Sequence, residues 1–222
     1  RGIIQRLEVT MDIHNRQKLI HYGNKMVEAG LTFSTGGNLS VRVDENSFLI
    51  TPSGMAYESL KERDLVVMNS KGDILKGDRK PSSEWHMHGA IYDAHPEIKA
   101  LIHTHSPYVS VVSSLGEDLP AISYLIASAG TSTVPLAPYE TFGTEELAKS
   151  AVEAMGNSKA VMLSNHGLIA GGDTLKQAFS LAQEIEFCAF MYVTALSTGK
   201  KIHYVPDEKM DEVIEKFKGY GQ

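Results

Sequence analysis

Apolar positions alternate with polar ones in two periods along this chain, and the switches between them mark the elements. Leu19 with Ile20, and Met26 with Val27, repeat at a spacing of seven and predict a helix from an Asp12 cap to about Ala29, closed by Gly30. Leu39, Val41 and Val43 alternate with polar residues, predicting a half-buried strand after the polar turn Thr35-Gly36-Gly37-Asn38. A second strand, Phe48 to Thr51, follows the Asp44-Glu45-Asn46 turn and breaks at Pro52-Ser53-Gly54. Leu65 to Met68 and Ile74-Leu75 read as a hairpin around Lys71-Gly72-Asp73. Ser82 or Ser83 caps a helix from Glu84 to about Ala94, which Pro96 ends. Ala100 to His103 is a short buried strand, and Ser106-Pro107 opens another helix.

In the second half, Ile122 to Ala127 and Ser132 to Leu136 fit neither period. Thr144 caps a helix to about Met155, and the strands Ala160 to Leu163 and Leu168 to Ala170 flank Asn165-His166-Gly167. Asp173 or Thr174 starts what reads as the longest helix, to about Leu196, with Leu175, Ala178, Ala182, Ile185, Ala189 and Tyr192 on one stripe. A last helix spans roughly Asp207 to Lys218. Helices and hairpin-linked strands are mixed, without repeat or linker. The fold class is therefore α/β of the α+β type: one three-layer domain over residues 11–222, a largely antiparallel sheet with helices on both faces. Residues 1–10, ahead of Met11, read as an expression leader or a disordered N-terminus.

Composition narrows the function classes. A chain of 222 residues suits one large domain, and 42% apolar with 22% charged residues is ordinary for a globular protein and argues against intrinsic disorder. Cys188 is the only cysteine, which excludes a disulfide scaffold and fits a reducing, cytoplasmic setting. The net charge is −6 and the densest basic stretch, Lys76 to Lys80, is short and holds Asp78, so a nucleic-acid partner is not expected. The longest charge-free window, Leu119 to Tyr139, is broken by Pro120, Gly130, Pro135 and Pro138, so a membrane partner is not expected either.

Candidate chemistry begins at His103-Thr104-His105. On a strand, residues two apart face the same side, so both imidazoles can converge on one ion; two exposed histidines at a strand end explain the pair equally well. His166 becomes a third ligand only if the fold brings its hairpin tip to that pair. Ser82-Ser83-Glu84 reads as a helix cap with an acid favoured by the helix dipole, or as an anion site with Glu84 turned to a metal. Three imidazoles and a carboxylate suit zinc, and accept cobalt or manganese. His88, one turn from Glu84, reads as a supporting or packing residue, and His86 as facing away. Gly37-Asn38 and Ser53-Gly54 are explained by turn chemistry alone.

Taken in order, several segments resemble one family, the zinc-dependent class II aldolases of the sugar-phosphate aldolase, epimerase and adducin-head superfamily. They are Ser34 to Arg42, Ile50 to Gly54, Pro81 to Trp85, His103 to His105, Pro120 to Tyr124, Ala137 to Tyr139 with Thr141 to Thr144, His166 to Ala170, and Glu215 to Gly221. The resemblance implies one zinc ion per subunit held by Glu84, His103, His105 and His166. It implies a phosphate pocket from Gly37, Asn38, Ser53, Gly54, Ser82 and Ser83, with no lysine or arginine among them. It implies cyclic homotetramers with intersubunit active sites, in which Tyr124 and Tyr220 come from the neighbouring chain and Phe142 and Phe217 wall the pocket. The implied reaction is reversible cleavage of L-fuculose 1-phosphate, or a related ketose 1-phosphate, to dihydroxyacetone phosphate and L-lactaldehyde or its counterpart. Glu84 is then the base, Tyr124 the acid at the aldehyde oxygen, and Tyr220 an aid in seating the aldehyde. The superfamily's pentulose 5-phosphate 4-epimerases, with aspartate where Glu84 stands, are an alternative. So are its sugar-phosphate dehydratases and a non-enzymatic adducin-head-like binding module.

Overall fold

The computed structural model describes residues 2–220. Its frame is a sheet of eight strands: β1 (Asn38–Arg42), β2 (Ser47–Ile50), β3 (Val66–Asn69), β4 (Ile74–Lys76), β5 (Ala100–Thr104), β6 (Leu136–Ala137), β7 (Ala160–Leu163) and β8 (Gly167–Gly172). They lie in the order β4-β3-β2-β1-β5-β8-β7-β6. Every neighbouring pair is antiparallel except β6 with β7.

Alternation along the strands splits the interior into two cores. Leu39, Val41, Leu49, Ile102, Leu168 and Ala170 face α1 (Gly2–Glu28), α3 (Pro107–Ser113), α5 (Leu175–Ser197) and α6 (Asp207–Lys218). Phe48, Ile50, Met68, Leu101, Val161 and Ile169 face α2 (Trp85–Ala94) and α4 (Glu145–Met155). The three-layer expectation holds. Among the described residues, no helix is long and apolar enough to cross a membrane.

The departures from the sequence reading have local causes. Helix α1 begins at Gly2, so Asp12 is interior and caps nothing; its carboxylate instead pairs with Arg16 and Lys76, each at 2.9 Å. Residues 2–10 form an exposed helical extension of α1, and α1, at 27 residues against 23 for α5, is the longer helix. Strand β1 stops at Arg42 because the Val43 N–H turns to Ser47 O at 2.9 Å, closing the hairpin and leaving Val43 exposed. The Ile122 to Ala127 stretch forms a 3-10 turn, Tyr124–Ala129, ended by left-handed Gly130. Neither Ser82 nor Ser83 is the cap of α2. Glu84 holds that position and makes no side-chain cap bond, which frees its carboxylate. Thr144 and Thr174 do cap α4 and α5, accepting from Leu147 N and Gln177 N at 3.1 Å each.

Candidate active site

Strand order explains how distant residues meet. β5 lies between β1 and β8, with Asn38 directly across from His103 on one side and Leu168 across from Thr104 on the other. The β7–β8 hairpin carries His166 at its tip, next to Asn165 in the left-handed region at φ 54°. The tip closes through His166 N–H to Leu163 O at 3.1 Å. His166 therefore projects at the same sheet end as His103 and His105.

The three imidazoles converge. His105 Nε2 and His166 Nε2 each lie 3.1 Å from His103 Nε2, and all the ligand atoms fall within 4.8 Å of one another. His103 Nδ1 donates to Leu168 O at 2.8 Å, which fixes the tautomer and leaves its Nε2 lone pair facing the other two rings. Burial, followed by the neighbouring rings of His166 and His105, holds the His103 pKa well below its ordinary value. Burial first, and then His105, lowers His166 to about 4, and burial lowers His105. All three are neutral at pH 7, as metal ligands must be. A tetrahedral ion with bonds of about 2.0–2.1 Å needs nitrogens roughly 3.4 Å apart, so this set fits a divalent metal with little adjustment.

Glu84 stands on the wall of the same cleft but outside the histidine cluster. Its Oε1 accepts the Gly143 N–H at 2.6 Å, while Oε2 is buried with no hydrogen-bond partner among the described residues. Burial raises the Glu84 pKa and the Gly143 bond partly offsets it. Gly143 is held at φ +71°, and a Cβ there would sit 3.1 Å from Ser83 O, so the 138–143 loop reaches Glu84 in a form only glycine adopts without strain.

The cleft, about 420 Å³, is lined by Gly37, Asn38, Ser53, Gly54, Ser82, Ser83, Glu84, Phe142 and the three histidines. A Pro52–Pro81 bridge brings the two serine loops together, with Ser53 N donating to Lys80 O and Ser82 N to Thr51 O, both at 3.0 Å. Those two amides are therefore engaged within the protein, and Ser82 Oγ accepts the Glu84 N–H at 3.3 Å. Tyr124, Phe217 and Tyr220 are not in the cleft. They form an aromatic file of their own, with centroid spacings of 6.2 Å and 6.1 Å. Thr35, Glu140 and Asn165 line the cleft without having been singled out, and the Gly143 amide was missed as well. Asn165, beside His-Gly at a predicted hairpin tip, was the one with a readable signal. His88 lies behind the wall, bonded to Asn38, and His86 stacks on Trp85 at 3.6 Å, away from the ligands.

Comparison with known proteins agrees with this geometry. The profile of the Class II Aldolase and Adducin N-terminal domain matches residues 17–193. The chain is 49% identical to a 5-deoxy-D-ribulose 1-phosphate aldolase of Bacillus thuringiensis serovar kurstaki, over 93% of this chain and 97% of that protein. It is 42% identical to an L-fuculose phosphate aldolase of Escherichia coli, over 89% and 91% respectively. A solved L-fuculose 1-phosphate aldolase superposes with a TM-score of 0.89 at 45% identity, covering 92% of this chain and 96% of that one. With a cleft built around a histidine triad that can hold a metal, and with relatives that are aldolases, this chain belongs to the class II aldolase and adducin N-terminal domain family and is an aldolase-type lyase.

Proposed function

We propose that this enzyme cleaves a short ketose 1-phosphate, reversibly, to dihydroxyacetone phosphate and an aldehyde, using zinc held by His103, His105 and His166. The observation that carries the reading is the convergence of three neutral Nε2 atoms beside a carboxylate whose Oε2 has no partner. Glu84 is available as a fourth ligand once it leaves the Gly143 N–H. When bound, the ion supplies Lewis-acid stabilisation of the negative charge that develops on adjacent substrate oxygens.

The chain's own residues do the rest. Asn38, Ser53 and Ser82 offer neutral donors to the phosphate, and Gly37, Gly54 and Ser83 complete that end of the cleft. In the synthetic direction Glu84 takes the proton from the dihydroxyacetone phosphate carbon that attacks. Its raised pKa suits a group that must hold a proton and then return it. Phe142, on the loop tied to Glu84, walls the aldehyde side. The phenol of Tyr124 donates to the aldehyde oxygen as the carbon–carbon bond forms, and in cleavage both proton transfers run backwards. Tyr124 and Phe217 sit outside their own chain's cleft with Tyr220, and on the family resemblance we assign them to a neighbouring copy's site in a cyclic homotetramer.

The greater identity to the 5-deoxy-D-ribulose 1-phosphate aldolase favours that ketose, releasing acetaldehyde, over L-fuculose 1-phosphate, releasing L-lactaldehyde. The test is synthesis from dihydroxyacetone phosphate with each aldehyde, before and after chelation and zinc replacement, in wild type and Glu84→Gln. Zinc-dependent condensation that Glu84→Gln abolishes is expected. Full activity in chelator, or near-normal rates in the variant, would overturn the metal or the base assignment respectively.

A further inference from the structure

A buried file of polar side chains runs behind the cleft wall, used by neither the metal site nor the proton transfers. Asn38 Oδ1 meets His88 Nε2. The other ring nitrogen, Nδ1, lies 2.6 Å from Ser40 Oγ, which in turn lies 2.7 Å from the Tyr92 hydroxyl. Asn38 and Ser40 share one face of β1, and His88 and Tyr92 are one turn apart on α2, so a single chain of bonds pins strand to helix. His88 and Ser40 have no exposure at all, and of the four only Asn38 reaches the cleft.

The bonds have a direction. An amide oxygen carries no proton, so His88 Nε2 must donate to Asn38. Burial lowers the His88 pKa to about 3, so the ring is neutral and Nδ1 is bare. Nδ1 then accepts from the Ser40 hydroxyl, whose oxygen accepts from Tyr92. With its oxygen held inward, the Asn38 amide has only its NH₂ left to present. Among the described residues, Nδ2 makes no hydrogen bond within the protein. This matters because, among the described residues, the cleft has no lysine or arginine in its lining to attract an anion. A reversed amide would turn an oxygen toward it.

We propose that His88, backed by Ser40 and Tyr92, is a positioning residue that locks the Asn38 carboxamide as an N–H donor to the substrate phosphate. This rests on the phosphate reading given above.

The experiment compares the metal-loaded wild type with Asn38→Ala, His88→Leu and His88→Gln. It measures the KM of the ketose 1-phosphate, competitive inhibition by inorganic phosphate, kcat, and zinc content. Loss of one charge-assisted bond predicts that His88→Leu raises both KM and the phosphate inhibition constant roughly tenfold. The same variant is expected to change kcat little and zinc content not at all. His88→Gln, which keeps a donor and an acceptor, should recover most of the loss. If Asn38→Ala weakens phosphate inhibition and His88→Leu does not, the positioning role is overturned and the phosphate reading stands. If inorganic phosphate fails to compete in the wild type, or Asn38→Ala leaves it unchanged, both fall. Should His88→Leu fail to fold, ¹⁵N NMR of the wild-type ring decides: Nε2 protonated with Nδ1 bare supports the lock, and the opposite tautomer overturns it.

Discussion

Lowering the pH below 6.5 should destabilise this fold through His88 in particular. The ring titrates at about 6.5 in the unfolded chain and is held to about 3 in the folded one by burial. Because the folded value is the lower, the unfolded state takes up the proton first. The stabilisation is therefore fully present above pH 6.5 and is lost as pH falls toward 3. A difference of this size corresponds to about 5 kcal/mol over the whole window, and about 2 kcal/mol is already lost by pH 5. The assay is urea unfolding from pH 7.5 to 5 in chelator, comparing wild type with His88→Gln, whose side chain does not titrate. His103, His105 and His166 also titrate below their ordinary values, but they are present in both proteins and cancel in the difference. The gap between the two stability curves should close by about 2 kcal/mol from pH 7.5 to pH 5. Parallel curves would mean that His88 is protonated in the folded state or reached by water, and the argument for its neutral ring would fail.

Three further outcomes follow. Glu186 on α5 accepts Tyr108 N at 3.3 Å and Val109 N at 2.8 Å, standing in for a cap at the start of α3; Glu186→Ala should cost about 1–3 kcal/mol in urea unfolding. A Cβ on Gly167 would sit 2.1 Å from the Thr104 carbonyl oxygen, so Gly167→Ala must part β5 from β8 between His105 and His166. It should lower both the melting temperature and the zinc bound per chain, and undiminished zinc would show that the triad tolerates the shift. Removing Lys218 to Gln222 should slow turnover without changing zinc content, and an unchanged rate and aldehyde preference would take Tyr220 out of the mechanism.

Strand and helix positions were legible because they are set by local rules. The 2-residue alternation at Leu39 and Val41, the Thr144 cap and the α5 stripe all appear where their periods put them. The His103–His105 pair was legible for the same reason. What the sequence hid depends on register and sheet order. His166 meets His103 only because β8 lies beside β5, a pairing that no local pattern encodes. The Gly143 amide on Glu84 is a backbone contact across 59 residues, which leaves no trace in side-chain type. His88 reads from the sequence as either a supporting or a packing residue, because burial and hydrogen bonding across α2 and β1 cannot be told apart before the two are docked. The start of α1 was misplaced because a carboxylate that reads as a cap can equally well be an interior partner of an i,i+4 arginine.

On the proposed function, the two halves of the substrate meet different kinds of element, sheet ends on one side and a loop on the other. The histidine triad and Asn38 sit at the ends of β1, β5 and β8, and the Asn38–His88–Ser40–Tyr92 bonds tie that sheet end to α2. The aldehyde half, by contrast, meets Phe142 on a loop and, on the proposed assembly, a tyrosine from another copy. Changes there leave the sheet untouched, so one scaffold can serve different aldehydes. Relatives of 49% and 42% identity can then bear different substrate names while sharing the fold. One methyl in an apolar pocket is worth only about 1–3 kcal/mol of discrimination. Preference between acetaldehyde and L-lactaldehyde is therefore expected to be graded, and to move with substitutions at Phe142, while zinc binding and phosphate inhibition stay fixed.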